Sequence, residues 1–484
     1  MMNLQHLLPE WQGAPIEVSG LSVDSRQVRP GDVFLALPGL RSDGRAHIEQ
    51  AIEAGAVAIV YEAGDGKVLR GDVPMVPVDG LAARLSEIGG RFHGEPSETL
   101  GLIGITGTNG KTSVSHMLAC ALNSLGQSCG VIGTLGSGMP GQLLDHGMTT
   151  PDALLVQQQL GQLRDAGARW VSMEVSSHAL DQGRVAALNF ELGVFTNLSR
   201  DHLDYHGDMA SYGAAKARLF QFPLRAAVIN LDDAFGRELI TASKTEVFAY
   251  SVENSDADLY CTNVRYDSEG ISAQINFRQQ QASLRSPLLG SFNLSNLLAV
   301  TASLLMLEVT LERAAELACS LQPPAGRMQR LGGNGRPLVV IDYAHTPDAL
   351  EKALAALRAH VKGRLTCLFG CGGDRDNGKR PLMGRIAEQA ADRVVITDDN
   401  PRTEPSSSII EQICTGIEQV RKITVLANRA EAIDYTINRA HQGDVILIAG
   451  KGHETYQEID GVRHPFSDIE QAERALQNWE PSHA

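Results

Sequence analysis

Two series of short apolar runs, each followed at once by glycines or charged residues, limit what this chain can fold into. The first is "TLGLIGITG", "WVSMEVS", "LGVFTN" and "AAVIN"; the second is "LVVID", "LTCLFG", "RVVITD" and "DVILIAG". Runs without polar alternation must be buried on both faces, and helical stretches separate them. That alternation predicts α/β architecture with largely parallel, doubly wound sheets. Ligands of such sheets bind outside the carboxyl ends of the strands, so the residues just after each run are where chemistry is expected. The chain has 484 residues, too many for one core. Joints rich in Gly and Pro, "FHGEPSETL" and "SLQPPAGRMQRL", divide it into expected domains 1–97, 98–325 and 326–484. The first, with "DVFLAL" and "AVAIVYE" flanking the amphipathic "AHIEQAIEAGA", reads as a small α/β unit. Residues 295–308, "SNLLAVTASLLMLE", read as a helix.

A formal net charge of −15 argues against nucleic acid or an anionic membrane as partner. An anionic ligand would therefore need local positive groups. The start, "MMNLQHLLPEWQGAP", lacks the features of a signal peptide, and no stretch approaches the roughly 20 apolar residues of a membrane span. Seven cysteines at no paired spacing suggest free thiols. The expectation is a cytoplasmic protein without a membrane anchor. Cys367 and Cys371 in "CLFGCGG" lack the further ligands of a zinc site, and packed strand thiols are the stronger reading.

"GLIGITGTNGKTSVSHMLACAL" reads as strand, glycine loop and helix. Glycines let the backbone wrap an anion, and the helix start aims free N–H groups at it. Lys111 supplies a point charge for outer phosphates, and Thr112 or Ser113 a hydroxyl for Mg²⁺. Ile105 stands where the strict phosphate-loop pattern has its first glycine. ATP or GTP binding is the reading, against a plain glycine-rich turn with an exposed lysine. In "MEVSSHALDQGRV", Glu174 ends a buried strand, where an unpaired carboxylate is costly; beside the loop, a metal ligand is favoured over a structural pair. The loop "TNLSRDHLDYHGD" gathers His202, Asp204 and His206 at no common zinc spacing, with solvated surface histidines as the alternative. Lys216 follows on a helix.

The second series ends in "YAHTP", "CGGDRDNGKR", "DNPRTE" and "KGHE". If the sheet is parallel, these four clusters share one edge. The "DNPR" cluster, residues 399–402, holds both charges beside a stiffening proline. An Asx-Pro turn with an internal salt bridge is its purely structural alternative.

Taken together, "GITGTNGKTS", "EVSSHALDQGR", "TNLSRDHLDYHG", "GAAKARLF", "GSFNLSN", "GRMQ", "VIDYAHTPDAL" and "DDNPR" resemble the Mur ligases of peptidoglycan synthesis, through all three segments. The resemblance implies the family's three-domain architecture, with a central P-loop-type mostly parallel sheet and a Rossmann-like C-terminal domain. It also implies an ATP-dependent ligase, closest to the members that add meso-diaminopimelate to UDP-N-acetylmuramoyl-L-alanyl-D-glutamate, here as a monomer. ATP would be held by Gly107, Thr108, Asn109, Gly110, Lys111 and Thr112, with Asn293, Arg327 and Asp342. Thr112 or Ser113, with Glu174, would lie near one Mg²⁺, and His202 near a second. Lys216 matches the lysine that the family carbamylates with CO₂, the bland alternative being a cation beside ATP. Lys379 would reach the transferring phosphoryl group. Ser25 would lie near the uridine nucleotide, and Thr149, Thr150, Ser176, Gln182 and Arg184 would grip the muramoyl peptide.

A diamino acid brings a distal ammonium and carboxylate as well as its reacting amine. Arg402 and Arg375 suit the carboxylate, and Asp399 and Glu454 the ammonium. Asn400 and the Gly450 carbonyl add neutral hydrogen bonds, and Pro401 stiffens the loop. Lysine lacks that carboxylate, so such a site should reject it. The "DNPR" arginine weighs against a lysine-adding relative, and "VDSRQVRPGDVFLALPG" against a folylpolyglutamate synthase-like enzyme. A non-catalytic nucleotide-binding scaffold is the alternative from another class. It is disfavoured by the presence of Lys111, Glu174, His202 and Lys216. No base for the attacking amine stands out, His202 and His345 being candidates in principle.

Overall fold

Every apolar run quoted above forms a strand in the computed structural model, which describes residues 2–39, 43–64, 69, 71–267, 269–419, 421 and 423–481. The strands are shared between two units, Met1–Tyr250 with Ala302–Leu307, and Ser251–Thr301 with Glu308–Ala484.

Beside a two-stranded pair, Met2–Asn3 with Glu17–Val18, the first unit holds a small sheet and strands of a larger one. Gly20–Ser22, Asp32–Ala36, Ala58–Glu62 and Met75–Val78 pair in parallel in that order. Alternate side chains of Asp32–Ala36 enter opposite cores, Val33 and Leu35 on one face and Phe34 and Ala36 on the other, as the period of two requires. The larger sheet runs Cys129–Gly133, Trp170–Glu174, Gly101–Thr106, Phe190–Phe195, Ala226–Asn230 and Val247–Ser251, all parallel. An antiparallel hairpin, Gly136–Met139 with Gln142–Leu144, extends its edge. The segment after "FHGEPSETL" does not swing free of what precedes it. Buried Gln157 donates to Ser86 O at 3.0 Å, Arg164 Nη1 donates to His93 O at 2.9 Å, and Leu154 enters the core of the small sheet.

The second unit holds three antiparallel strands, Leu259–Asp267, Gly270–Phe277 and Gln280–Ser286, and a six-stranded sheet. The latter orders an antiparallel edge, Gln329–Gly332, then Leu338–Asp342, Val445–Ala449, Leu365–Phe369, Arg393–Ile396 and Ile423–Val425, these five parallel. Helices Pro347–Arg358 and Lys379–Ala390 pack on one face through Leu350, Leu354 and Met383, against Val340, Phe369 and Leu447. Arg429–Asn438 and Asp468–Gln477 pack on the other through Ile433, Ala472 and Leu476, against Val339, Leu368 and Ile448. This is a doubly wound layer. The helix expected over 295–308 spans Ser291–Met306 instead. It begins straight after Gly290, at φ 88°, and stops short of Glu308, at φ 65°; the left-handed residues set its ends. All seven cysteines are free. Cys367 is core, and Cys371 Sγ lies 3.7 Å from Met383 Sδ with its thiol pushed up to about 12 by burial.

One buried ion pair ties strand ends to the helical layer. Arg429 Nε and Nη2 each lie 2.7 Å from an oxygen of Asp468, and the same guanidinium donates to Asp398 O at 3.1 Å and Ala449 O at 3.0 Å. Neither side chain is exposed. Asp468→Ala leaves the guanidinium without its counter-charge and should cost about 3–5 kcal/mol. Arg429→Met combined with Asp468→Leu should cost less than either single change. Urea-unfolding midpoints check this, and a double variant weaker than both singles would contradict it.

Candidate active site

The glycine loop of the first unit is shaped by close approach. Gly107 has φ 147°, and a Cβ there would come 1.9 Å from Thr196 Oγ1. Gly110, at φ 88°, turns the chain into helix Lys111–Ser124. Asn197 pins the loop, its O accepting from Thr108 N at 2.8 Å and its Oδ1 from Asn109 N at 3.0 Å. Lys111 Nζ donates to Gly107 O and Thr108 O, both at 2.9 Å, and Lys216 Nζ donates to Gly107 O at 2.7 Å. Lys216 is buried, 4.4 Å from the Tyr212 ring centre. Burial first, then the charge of Lys111, holds its amine well below the ordinary lysine range, against the opposing charge of Asp201.

Glu174 also lies in this place, but it is not the unpaired carboxylate its buried strand suggested. Thr112 Oγ1 donates to Oε2 at 3.0 Å, Thr134 N to Oε1 at 2.8 Å and Thr134 Oγ1 to Oε2 at 3.2 Å. These donors satisfy its oxygens without cancelling its charge. Thr112, rather than Ser113, makes the bond to Glu174. A hydroxyl beside a carboxylate at a helix start is an oxygen donor set that fits Mg²⁺, which keeps much of its water and shares phosphate oxygens. Among the described residues no three His, Cys, Asp or Glu side chains form a metal cage. His202, Asp204 and His206 do not converge as one. His202 stands at φ 52° with Nε2 3.4 Å from Asp201 Oδ2, while His206 Nε2 meets Ser177 Oγ at 2.9 Å. The rings instead pack around His178, whose centre is 4.9 Å from that of His202, 4.2 Å from Tyr205 and 5.4 Å from His206.

The expected muramoyl-peptide residues gather close by. Thr149 Oγ1 meets Thr134 Oγ1 at 3.0 Å, and Thr150 Oγ1 donates to Glu174 O at 2.8 Å while accepting from Ser176 N at 3.0 Å. Arg184 donates to Gln182 Oε1 at 3.0 and 2.7 Å and to Thr150 O at 2.6 Å. Ser25 lies apart from these on the small sheet's side, donating to Gln50 Oε1 at 2.9 Å.

The remaining expected residues belong to the second unit. Asp342 accepts from Met328 N at 2.8 Å and Ala344 N at 2.9 Å, and its carboxyl is raised by burial in spite of the Arg327 charge. Arg327 lies over the Tyr343 ring at 4.9 Å with its Nε buried and unpartnered. Lys379 Nζ donates to His345 O at 2.9 Å. Asn293 is buried on helix Ser291–Met306, donating to Leu289 O at 2.8 Å.

The "DNPR" loop leaves strand Arg393–Ile396 and crosses "CGGDR". Gly372 takes both arginines: a Cβ on it would be 2.9 Å from Arg402 Nη1 and 3.7 Å from Arg375 Cγ. Arg402 Nη1 donates to Gly373 O at 2.7 Å, and its backbone, at φ 53°, bonds Glu458 O and Asp460 N. Pro401 is buried, whereas Arg375 is exposed. Buried Asp399 abuts Gly450, where a Cβ would be 2.4 Å from Oδ2. Its carboxyl is raised by burial, against the charges of Arg429 and Lys451. Glu454 Oε2 accepts from Asn400 Nδ2 at 2.9 Å and from Lys451 Nζ at 2.9 Å. Lys451 and the Arg429–Asp468 pair were not singled out from sequence. The "GKGHE" cluster held the signal for Lys451; nothing local marked Arg429.

Known proteins share this layout. Family models match residues 17–93 (Mur ligase family, catalytic domain), 105–304 (Mur ligase middle domain) and 326–452 (Mur ligase, glutamate ligase domain). The chain is 59% identical to the UDP-N-acetylmuramoyl-L-alanyl-D-glutamate–2,6-diaminopimelate ligase of Pseudomonas aeruginosa, over 100% of both chains. It is 55% identical to the protein of that name from Ectopseudomonas mendocina, again over 100% of both. A solved structure of a UDP-N-acetylmuramoyl-L-alanyl-D-glutamate–2,6-diaminopimelate ligase aligns with a TM-score of 0.75 at 38% identity, covering 99% of each chain. With its glycine loop, buried lysine and charged strand ends all in place, the chain belongs to the Mur ligase family.

Proposed function

We propose that this chain is an ATP-dependent amide ligase that joins meso-2,6-diaminopimelate to the D-glutamate of UDP-N-acetylmuramoyl-L-alanyl-D-glutamate. The observation that carries the choice of amino acid is the pair Arg375 and Arg402 flanking Gly372, on the strand edge that also presents Glu454. Two guanidinium groups and a carboxylate on one edge match a zwitterionic distal centre, and L-lysine would leave the arginines unanswered.

In this reading a substrate carboxylate oxygen attacks the γ-phosphorus of ATP, and the bond to the β-phosphate oxygen breaks to release ADP. The amine of diaminopimelate, having lost its proton, attacks the acyl carbon of the resulting acyl phosphate. A tetrahedral intermediate collapses, the amide forms and phosphate leaves. Residues 107–112 would cradle the phosphates with backbone N–H groups, while Lys111 and Lys379 offset repulsion between carboxylate and phosphate. Asn293, Arg327 and Asp342 would contact the nucleotide. Thr149, Thr150, Ser176, Gln182 and Arg184 would hold the muramoyl peptide, with Ser25 near its uridine end. Mg²⁺, held through Thr112, Glu174 and, for a second ion, His202, would supply charge neutralisation at the phosphates; Ser113 is an alternative hydroxyl. Lys216 would carry a CO₂-derived carbamate. Burial favours its neutral amine, the form that reacts with CO₂, and the carbamate keeps an N–H to donate to Gly107 O. We place the enzyme in the cytoplasm as a monomer of three functional domains, 1–97 for the uridine nucleotide, 98–325 for ATP and 326–484 for the amino acid. No described helix is long and apolar enough to cross a membrane.

Three outcomes test this. With ATP, Mg²⁺ and the UDP-muramoyl dipeptide, tripeptide should form with meso-diaminopimelate and not with L-lysine, read by product mass and phosphate release. Equal use of lysine would remove the arginine argument while leaving a ligase. Arg402→Ala should raise KM for diaminopimelate about 10- to 100-fold, the scale of a lost charge-assisted hydrogen bond, with KM for ATP unchanged. ¹³C-bicarbonate should give wild-type protein a carbamate ¹³C resonance that is absent in Lys216→Arg, and that variant should lose about a hundredfold or more in kcat. A fully active Lys216→Arg would rule the carbamate out.

A further inference from the structure

Lys451 follows the glycine that ends strand Val445–Ala449, and its side chain is 0% exposed. A lysine is rarely buried without a partner. Here its Nζ donates to Asn400 Oδ1 at 3.0 Å and Glu454 Oε2 at 2.9 Å, while Asn400 Nδ2 donates to the same Glu454 oxygen at 2.9 Å. The three side chains close a ring. Glu458 N adds a second donor to Asn400 Oδ1, at 2.9 Å.

This ring fixes which way each group can act. An ammonium and a backbone N–H can only donate, so the Asn400 atom facing them is its carbonyl oxygen. The amide nitrogen is thereby turned to Glu454, a carboxylate that only accepts. The acceptor of Asn400 is occupied by the protein itself, and its remaining capacity is one further N–H. Glu454 has Oε2 committed twice, and among the described residues Oε1 takes no protein donor. Asn400 is thus held as a donor and Glu454 as an acceptor, the polarity needed for a carboxylate beside an ammonium. Without Lys451 the Asn400 carbonyl oxygen would keep only the Glu458 N–H, and Glu454 would lose its counter-charge.

We propose that Lys451 is a positioning residue for the amino-acid site, setting the polarity of Asn400 and Glu454 and so the preference for a substrate with both a distal carboxylate and a distal ammonium. The inference rests on the ligase reading above and deepens it. Lys451 touches the ring and, through its charge, favours ionised Asp399; it takes no part in bond making.

Lys451→Met keeps most of the unbranched chain and removes the charge and the donors. In the full-length enzyme its KM for meso-diaminopimelate should rise about tenfold or more, the scale of one charge-assisted hydrogen bond. Its kcat and its KM for ATP should stay near wild type. The ratio of kcat/KM for meso-diaminopimelate over L-lysine should fall by a similar factor, a change that loss of stability alone would not produce. A lowered kcat with unchanged KM for diaminopimelate, or an unchanged ratio, overturns the proposal. Should that variant not fold, Asn400→Asp decides. It keeps an oxygen for Lys451 and replaces the N–H donor with a carboxylate oxygen facing Glu454, so a raised KM for diaminopimelate with unchanged KM for ATP supports the proposal, and an unchanged KM overturns it. Wild-type enzyme run alongside separates the two levels: if it makes no tripeptide with either amino acid, the ligase reading fails and this inference falls with it.

Discussion

Parallel strands deliver their carboxyl ends to one edge of a sheet, and burial on both faces leaves that edge as the place where polar side chains can leave the core. The second unit obeys this constraint at Asp342, Gly370, Thr397 and Gly450, which end strands adjacent in the sheet although far apart in sequence. The last strand, Val445–Ala449, inserts between Leu338–Asp342 and Leu365–Phe369, and Asp399 lies against Gly450 and Lys451 against Asn400. The first unit uses the same geometry for Gly107, Glu174 and Thr196. The chemistry of the family is thus a consequence of strand direction before it is a consequence of any one residue.

Charges at those edges are managed in two ways. Around the glycine loop, Glu174 is held by hydroxyls and a backbone N–H, and Lys216 by a carbonyl and an aromatic face. These groups stabilise without neutralising, which leaves the site able to respond to an incoming charge. In the second unit the solution is ionic: Arg429 with Asp468, Arg380 with Glu404, and Lys451 with Glu454. Desolvated pairs of that kind hold geometry at some expense of stability.

The strands and the loops that follow them were legible in the sequence because apolar runs and glycine positions are local signals. So were Lys111, Glu174 and the "DNPR" residues, which stand directly after such runs. What sequence did not yield was pairing. The neutral donors of Glu174 come from Thr112 and Thr134, 62 and 40 residues away, and the partner of Arg429 lies 39 residues downstream. Neither separation leaves a periodic trace. The His and Asp side chains of "DHLDYH" resembled a metal cluster, though at no common zinc spacing, because composition alone cannot say that His178, from a different helix, packs among those rings. The start of helix Ser291–Met306 was missed because polar Ser291 and Asn293 mask its first turn, whereas left-handed Gly290 fixes it.

Buried Gln157 has a wider meaning for how the first unit can be taken apart. It lies on helix Ala153–Asp165 with Leu154, yet its amide nitrogen donates to Ser86 and Leu154 fills the core of the small sheet. A fragment ending near residue 97 would therefore lack a wall of its own core, and the remainder would present a leucine and a glutamine amide to water. Chain continuity is not what joins the N-terminal segment to the glycine-loop segment. They share an interior, so a shift of one reaches the other through packed side chains without a flexible tether between them.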